Sequence, residues 1–286
     1  MNNLQEFFST KPVVSVVVPV RNDLRVFDLL AVLSTQVDVA SVELIIACNG
    51  AEPVFLDRLR DACSFTKSAR ILSIDEASPA RALNKGIGAA RGCYILILDS
   101  DCIPSKNFLL TVARDYRGKA AVRGRVLFTG TTAFSRLTAK YRSAVYAGVE
   151  RRGLLYTPNL LVSRDVFLRI GGFDESIRYS YDSEFSDRAR RSGITAELVP
   201  SMSVEHRCHT RLQAEIKIWF HYGVGRSVRF SSRRRKRTVK GLFEMVFGDV
   251  PWAFAFSRID CLVFTIAYWI VRASGLIWGG IVPCKR

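Results

Sequence analysis

The chain has no Cys-x-x-Cys pair and an odd number of cysteines, seven, so neither a zinc ribbon nor a disulfide framework is suggested. No Gly-x-Gly-x-x-Gly follows the first β-branched run, which argues against the usual dinucleotide fingerprint. No Gly-x-x-x-x-Gly-Lys-Ser/Thr loop offers a phosphate cradle. Met1 to Pro12 shows no basic-then-apolar leader, and with the cysteine usage this predicts a protein of the reducing cytosol. Negative charge is scarce: 26 Asp and Glu face 42 Lys and Arg, for a net charge of +16. The deficit is local. Between Ser203 and Gly241 eleven basic residues meet only Glu205 and Glu215, so more than half of the excess belongs to one attached surface. No aromatic stacking platform or DNA-binding motif accompanies that run, which excludes nucleic acid as the expected partner.

What is present is a large apolar fraction, 49% of 286 residues, enough for one large domain with an appendage. Val13 to Pro19 is β-branched and stopped by proline, hence a strand. Asp23 is placed to cap a helix carrying Val26, Leu29, Leu30 and Leu33. Val42 to Cys48 is a second strand, closed by the turn Asn49-Gly50. A helix from Pro53 to Phe65 and a strand from Arg70 to Ile74 follow. Ser78-Pro79 opens a helix that runs through Ala90. Strands alternating with helices at this spacing predict an α/β fold of βαβ units, with a Rossmann-like, mostly parallel sheet and helices on both faces.

Tyr94 to Leu98 is the most buried of these strands by composition, and Asp99-Ser100-Asp101 leaves its carboxyl end. Two carboxylates one residue apart repel unless a cation or hydroxyl groups lie between them, and carboxyl ends of parallel strands are where such sheets bind ligands. A solvated turn and a Mg²⁺ or Mn²⁺ site facing a phosphate both satisfy this pattern. Downstream the pattern predicts strands at Ala120–Phe128 and Tyr156–Val162 and helices at Thr132–Val149 and Arg164–Ile170. A glycine-dependent loop, Gly171-Gly172-Phe173-Asp174-Glu175, comes next. A helix is then opened or capped by Asp182 and ended by Gly193. Carboxylates in its first turn either complement the helix dipole or include a base.

The ordered set of a Val-rich strand ending Pro-x-Arg-Asn, a buried strand ending Asp-x-Asp, and Gly-Gly-Phe-Asp-Glu before an acidic helix start and a late His resembles the family 2 inverting glycosyltransferases of GT-A fold. The resemblance spans about Val13 to His206, and Ala82-Leu83-Asn84-Lys85-Gly86 adds to it. It implies transfer of a sugar from a nucleoside-diphosphate sugar, expected to be UDP-type, to an acceptor hydroxyl on a glycan or lipid-linked acceptor, with Mg²⁺ or Mn²⁺ as cofactor. Pro19, Val20, Arg21, Asn22, Cys48, Asn49, Asn84, Lys85, Asp99 and Ser100 would face the nucleotide sugar. Asp101 and His206 would hold the metal, and Asp182, with Glu184 as substitute, would be the base. Asn159, Gly171, Gly172 and Asp174 would frame the acceptor. Cys48-Asn49 stands where the family usually has an acidic residue, and Tyr181 replaces an acidic neighbour of Asp182. A nucleotidyltransferase and a non-catalytic nucleotide-sugar binder are the competing readings.

Residues 1–206 are thus expected to form the GT-A domain and 207–286 a basic and apolar helical extension. Ser227 to Gly241 has the charge density that binds phosphates of anionic lipid. Cys261 to Val271 is too short to span a bilayer, and a longer span would put Arg272 near its centre at a cost of about 3 kcal/mol. Interfacial or re-entrant helices on the inner face of the cell membrane are the expectation.

Overall fold

A computed structural model describes residues 13–36, 42–66, 69–115, 118–232, 251–255 and 257–281. The arginine-rich run 233–237 lies outside them. Four strands, β1 (Val14–Val20), β2 (Val42–Asn49), β3 (Ala69–Ile74) and β4 (Tyr94–Ile97), form a parallel half-sheet. Helices α1 (Val26–Ser34), α2 (Pro53–Ala62) and α3 (Pro79–Ala89) connect them. Val14, Val16, Val18 and Val20 pack with α1 and α2, while Val17 faces α3. Both faces of β1 are therefore covered, which is why its apolar residues do not alternate with polar ones. The expected cap of α3 is present, with Ser78 Oγ accepting from Arg81 N–H at 3.3 Å. Asp23 does not cap α1. Its carboxylate accepts from Arg25 N–H at 3.0 Å instead, a turn that precedes the helix.

The second half departs from the βαβ expectation. Beyond β4 the order is β7 (Leu160–Ser163), β6 (Ala121–Thr129), β8 (Glu197–Arg207) and β5 (Cys102–Pro104), giving eight strands as β3-β2-β1-β4-β7-β6-β8-β5. β7 runs antiparallel to β4 and to β6, and β5 antiparallel to β8. Sequence patterning missed β5, β8 and α4 (Phe108–Asp115). β5 is three residues long, and β8 is interrupted by Pro200, so that its alternation is confined to the short stretch Met202–His206, where a histidine takes one of the inward positions. The strand expected from Tyr156 begins only at Leu160.

Helices α5 (Ala133–Arg151), α6 (Arg164–Ile170) and α7 (Tyr181–Arg191) complete the catalytic-sized unit. The C-terminal apolar segment contains α9 (Trp252–Ala255) and one continuous 23-residue helix, α10 (Ile259–Ile281). By length and composition α10 could cross a membrane, and a third of its apolar window is buried against protein. It lies along α8 (Leu212–Ser232). A Cβ on Gly223 would meet Arg272 O at 2.0 Å, and one on Gly275 would meet Phe220 O at 2.1 Å, so the two backbones touch where only glycine fits. Tyr141, Trp219, Phe264, Tyr268 and Trp269 pack α5, α8 and α10 into one aromatic cluster.

At the opposite end of the sheet from the strand tips, Glu43 is 1% exposed. It accepts from Ser15 Oγ and Arg91 N–H and pairs with Arg70 at 2.8 Å and Arg91 at 3.2 Å. Burial alone would raise its pKa, yet these bonds outweigh burial and hold it below the usual 4.5. Its contribution to stability is therefore full above about pH 4.5 and is lost as pH falls through the lowered folded value. Glu43→Ala should cost about 3 kcal/mol in urea unfolding at pH 7, and the gap to wild type should narrow below pH 4. A variant as stable as wild type at pH 7 would contradict this.

Candidate active site

The tips of β1, β2 and β4 open on one side because the three strands are parallel. Leu98 N–H still bonds Val17 O at 3.2 Å. The chain then turns through Asp99-Ser100-Asp101 and re-enters the sheet as β5, whose Cys102 is paired with His206 of β8. That pairing places His206 Nε2 3.4 Å from Asp101 Oδ1. The chain's late histidine and its Asp-x-Asp turn are thus neighbours through a strand pair that the sequence pattern did not reveal.

Asp182 arrives from the other side. It occupies the first turn of α7, preceded by Ser180 in the left-handed region at φ 62°, a conformation that costs about 1 kcal/mol and recurs at functional sites. Asp182 Oδ1 accepts from Ser183 N–H at 2.7 Å. Asp99, Asp101, Asp182 and His206 all line one cavity of about 440 Å³. Its walls come from α5, the 156–158 loop, the start of α7, α8 and α10, so the C-terminal extension closes the site.

The electrostatics of this cavity are unbalanced among its carboxylates. Burial pushes the Asp99 carboxyl well above the usual range, the charges of Asp101 and Asp182 push it further, and a hydrogen bond from Thr157 and the charge of Arg142 oppose the rise. Thr157 also hydrogen-bonds Tyr181, so it ties the residue that stands beside Asp182 to the Asp-x-Asp turn. Arg25 pairs with Asp101 at 2.9 Å and with Asp23 at 2.7 Å. Arg142 is held by both oxygens of the fully buried Glu215, at 3.1 Å each, and Trp219 Nε1–H donates to the same carboxylate. Arg25 and Arg142 are parts of the site that the sequence reading did not assign to it.

The donor set fits a divalent cation. His206 is 7% exposed, and burial lowers its pKa against the opposing charge of Asp101, which favours the neutral imidazole that ligates metals. Its Nδ1 is buried without a hydrogen-bond partner among the described residues. Cys102 lies close enough to join Asp101 and His206, but burial lifts its thiol far above the ordinary value. A protonated thiol is a poor ligand for Mg²⁺ or Mn²⁺, which prefer oxygen. The pair Asp101 and His206 is the part that suits such an ion.

Several expected residues lie outside the cavity. Asn84 gives its amide to Phe173 O and Glu175 and accepts from Phe173 N–H; it fastens the Gly-Gly-Phe-Asp-Glu loop. Gly171, at φ 80°, and Gly172 belong to that loop, and Asp174 bonds Ser176. Asn159 is fully buried and donates to Met202 O at 2.8 Å. Glu184 is clamped by Arg188 at 2.7 Å, which leaves it a structural ion pair. Cys48 is sealed in the core, where burial raises its thiol to about 11, so its side chain faces no ligand. Pro19, Val20, Arg21, Asn22, Asn49, Lys85 and Ser100 are not in the cavity lining. Of these, Asn22 exchanges two 3.0 Å bonds with Glu52 across the β1 and β2 tips.

Residues 15–167 match the family described as Glycosyl transferase family 2. No curated protein matches the sequence. Among solved structures, mannosyltransferase PcManGT from Pyrobaculum calidifontis in complex with GDP-Man and Mn²⁺ is 16% identical, with a TM-score of 0.68 over 94% of this chain and 88% of that one. S. aureus TarS is 13% identical at a TM-score of 0.55, covering 91% of this chain and 49% of that one. A structure of TarS 1-349 is 14% identical at 0.53, covering 91% and 80%. At these identities the likeness is one of fold, and it establishes the GT-A architecture.

Because the folded pKa of Asp99 is raised, its ionised form opposes folding, and stability falls as pH rises through that value. Asp99→Asn keeps an acceptor for Thr157 and removes the charge. In metal-free buffer at pH 8 it should raise the melting temperature by roughly 3 °C, with the gain shrinking toward pH 4. A drop in melting temperature at pH 8 would refute the assignment of an unbalanced carboxylate.

Proposed function

The chain belongs to glycosyl transferase family 2, and from that premise we propose that it moves a sugar from a nucleoside-diphosphate sugar to an acceptor hydroxyl with inversion, aided by Mg²⁺ or Mn²⁺. The observation that carries the reading is the convergence of Asp99, Asp101, Asp182 and His206 on one cavity from three separated parts of the chain. That PcManGT was solved with GDP-Man and Mn²⁺ supports a nucleotide-sugar donor and a metal on this architecture.

In this reading the nucleotide lies over the tips of β1 and β2, against Pro19 to Asn22 and Asn49, with Asp99 and Ser100 toward the donor's sugars. Asp101 and His206 would hold the metal, which when bound would supply positive charge against that building on the diphosphate. Asp182 accepts the proton of the acceptor hydroxyl as that oxygen bonds to the anomeric carbon. The bond from the anomeric carbon to the diphosphate oxygen breaks, and the nucleoside diphosphate leaves with its electron pair. One displacement inverts the centre. Arg25 and Thr157 act as positioning residues, fixing Asp101 and Asp99. The acceptor enters from the α5, α8 and α10 side, so we place the functional boundary beyond 206, with α8 and α10 inside the enzymatic unit.

The outward side of α10 and the basic run from Ser227 to Gly241 also support a cytosolic enzyme bound to an anionic membrane surface. Pelleting of the full-length chain with anionic vesicles at low salt, weakened at high salt, is the expected result; a chain that stays fully soluble at low salt would refute it.

Asp182→Asn should lower transfer about 10³-fold or more while nucleotide binding stays within about twofold. Asp101→Asn should weaken nucleotide binding only when Mn²⁺ is present. A thermal-shift series of nucleoside diphosphates with Mn²⁺ reads both the base preference and this dependence. Unchanged transfer by Asp182→Asn would overturn the base assignment.

A further inference from the structure

Helix α10 is inside-out in its charge. Its outward stripe consists of Ile259, Val263, Ile266, Ile270, Ile277 and Trp278, all more than half exposed, at spacings of 4, 3, 4 and 7 residues followed by one adjacent position. Its single cation, Arg272, faces inward at 8% exposure and lines the cavity. A helix of a water-soluble protein places these groups the other way round, because burying a guanidinium is costly. The inward placement is reinforced locally: Arg272 lies 5.0 Å from the Trp269 ring and 5.7 Å from that of Tyr268, and donates to Tyr268 Oη at 3.2 Å. Ring faces and a phenol hold the fork in place facing the cavity.

Arg272 has company. Arg226 of α8 and Arg178, just before α7, line the same cavity, and the glycine contact between α8 and α10 is what brings Arg226 and Arg272 to one wall. Asp99 and Asp101 reach the cavity from the β4 turn and Asp182 from the start of α7. Arg226 and Arg272 reach it from α8 and α10, which rest on α5, whereas the proposed nucleotide groove lies at the tips of β1 and β2. We assign the arginines to the acceptor's half on that basis, and the nucleotide affinities below test the assignment.

We propose that Arg226 and Arg272 form a phosphate subsite for the acceptor, and that the acceptor is a phosphate-bearing amphiphile whose chain remains in lipid along the outward stripe of α10. This deepens the glycosyltransferase reading and rests on it for the word acceptor, while the phosphate site itself stands on the cavity alone. Guanidinium forks inside and an apolar stripe outside complement the two ends of such a molecule. A neutral glycan needs neither.

The test uses the full-length protein in detergent-free buffer with three probes: octyl phosphate, octyl glucoside and inorganic phosphate, each followed by calorimetry. Octyl phosphate should bind at least tenfold more tightly than either of the others. Arg272→Met, which suits the apolar helix, and Arg226→Gln should each reduce that affinity about tenfold, with circular dichroism and melting temperature unchanged. Arg272→Lys, which keeps the charge, should recover part of it. Nucleotide affinity with Mn²⁺, measured on the same samples, reads the donor site separately, so loss of nucleotide binding in wild type would refute the transferase reading without touching the phosphate result. Equal binding of octyl glucoside, octyl phosphate binding that is insensitive to both arginines, or inorganic phosphate binding as tightly as octyl phosphate would overturn the proposal.

Discussion

Three carboxylates around one half-buried cavity are the constraint on which this architecture turns. Asp99, Asp101 and Asp182 repel one another, and Asp99 carries the consequence as a raised pKa. The fold tolerates this because positive groups approach from every side: Arg25 on Asp101, Arg142 beyond it, anchored on buried Glu215, and a hydroxyl from Thr157. The balance is incomplete without a ligand. Perturbed carboxylates gathered in one cavity are a mark of functional sites, and the proposed cation would supply the missing positive charge.

The sheet divides the labour. Its parallel half, β3-β2-β1-β4, presents its strand tips on one side, the edge at which such sheets bind ligands. Its mixed half, β7-β6-β8-β5, supplies His206 and supports α5, on which the C-terminal helices rest. The carboxylate cavity lies at the seam between the two, beside β4. The extension that composition marks as an appendage is consequently a wall of the site, joined to α5 by a cluster of five buried aromatic residues.

Residues that patterning singled out divide according to what their side chains reach. Asp99, Asp101, Asp182 and His206 meet in the cavity. Asn84, Asn159 and Glu184 carry equally suggestive chemistry, yet Asn84 bonds the Phe173 backbone and Glu175, Asn159 donates to Met202 O, and Glu184 pairs with Arg188, so that they hold loops behind the site. A motif residue and its structural support are indistinguishable in sequence, because both must be specific polar types. Arg272 shows the reverse. As a cation in an apolar run it read as an obstacle to membrane insertion, whereas in the fold it turns inward between two aromatic rings.

The sequence by itself determined the βαβ core, the strand ends that gather on one side of the sheet and the family, since these depend on local periodicity, caps and short motifs that act over a few residues. Only the tertiary structure decided that Cys102 pairs with His206, that Cys48 is buried, and that α8 and α10 close the cavity. The first is an antiparallel pairing across about 100 residues, the second follows from parallel neighbours on both sides of β2, and the third from helix contacts between Gly223 and Arg272 and between Phe220 and Gly275. Such contacts are selected by the packing of the whole chain, and no local pattern records them.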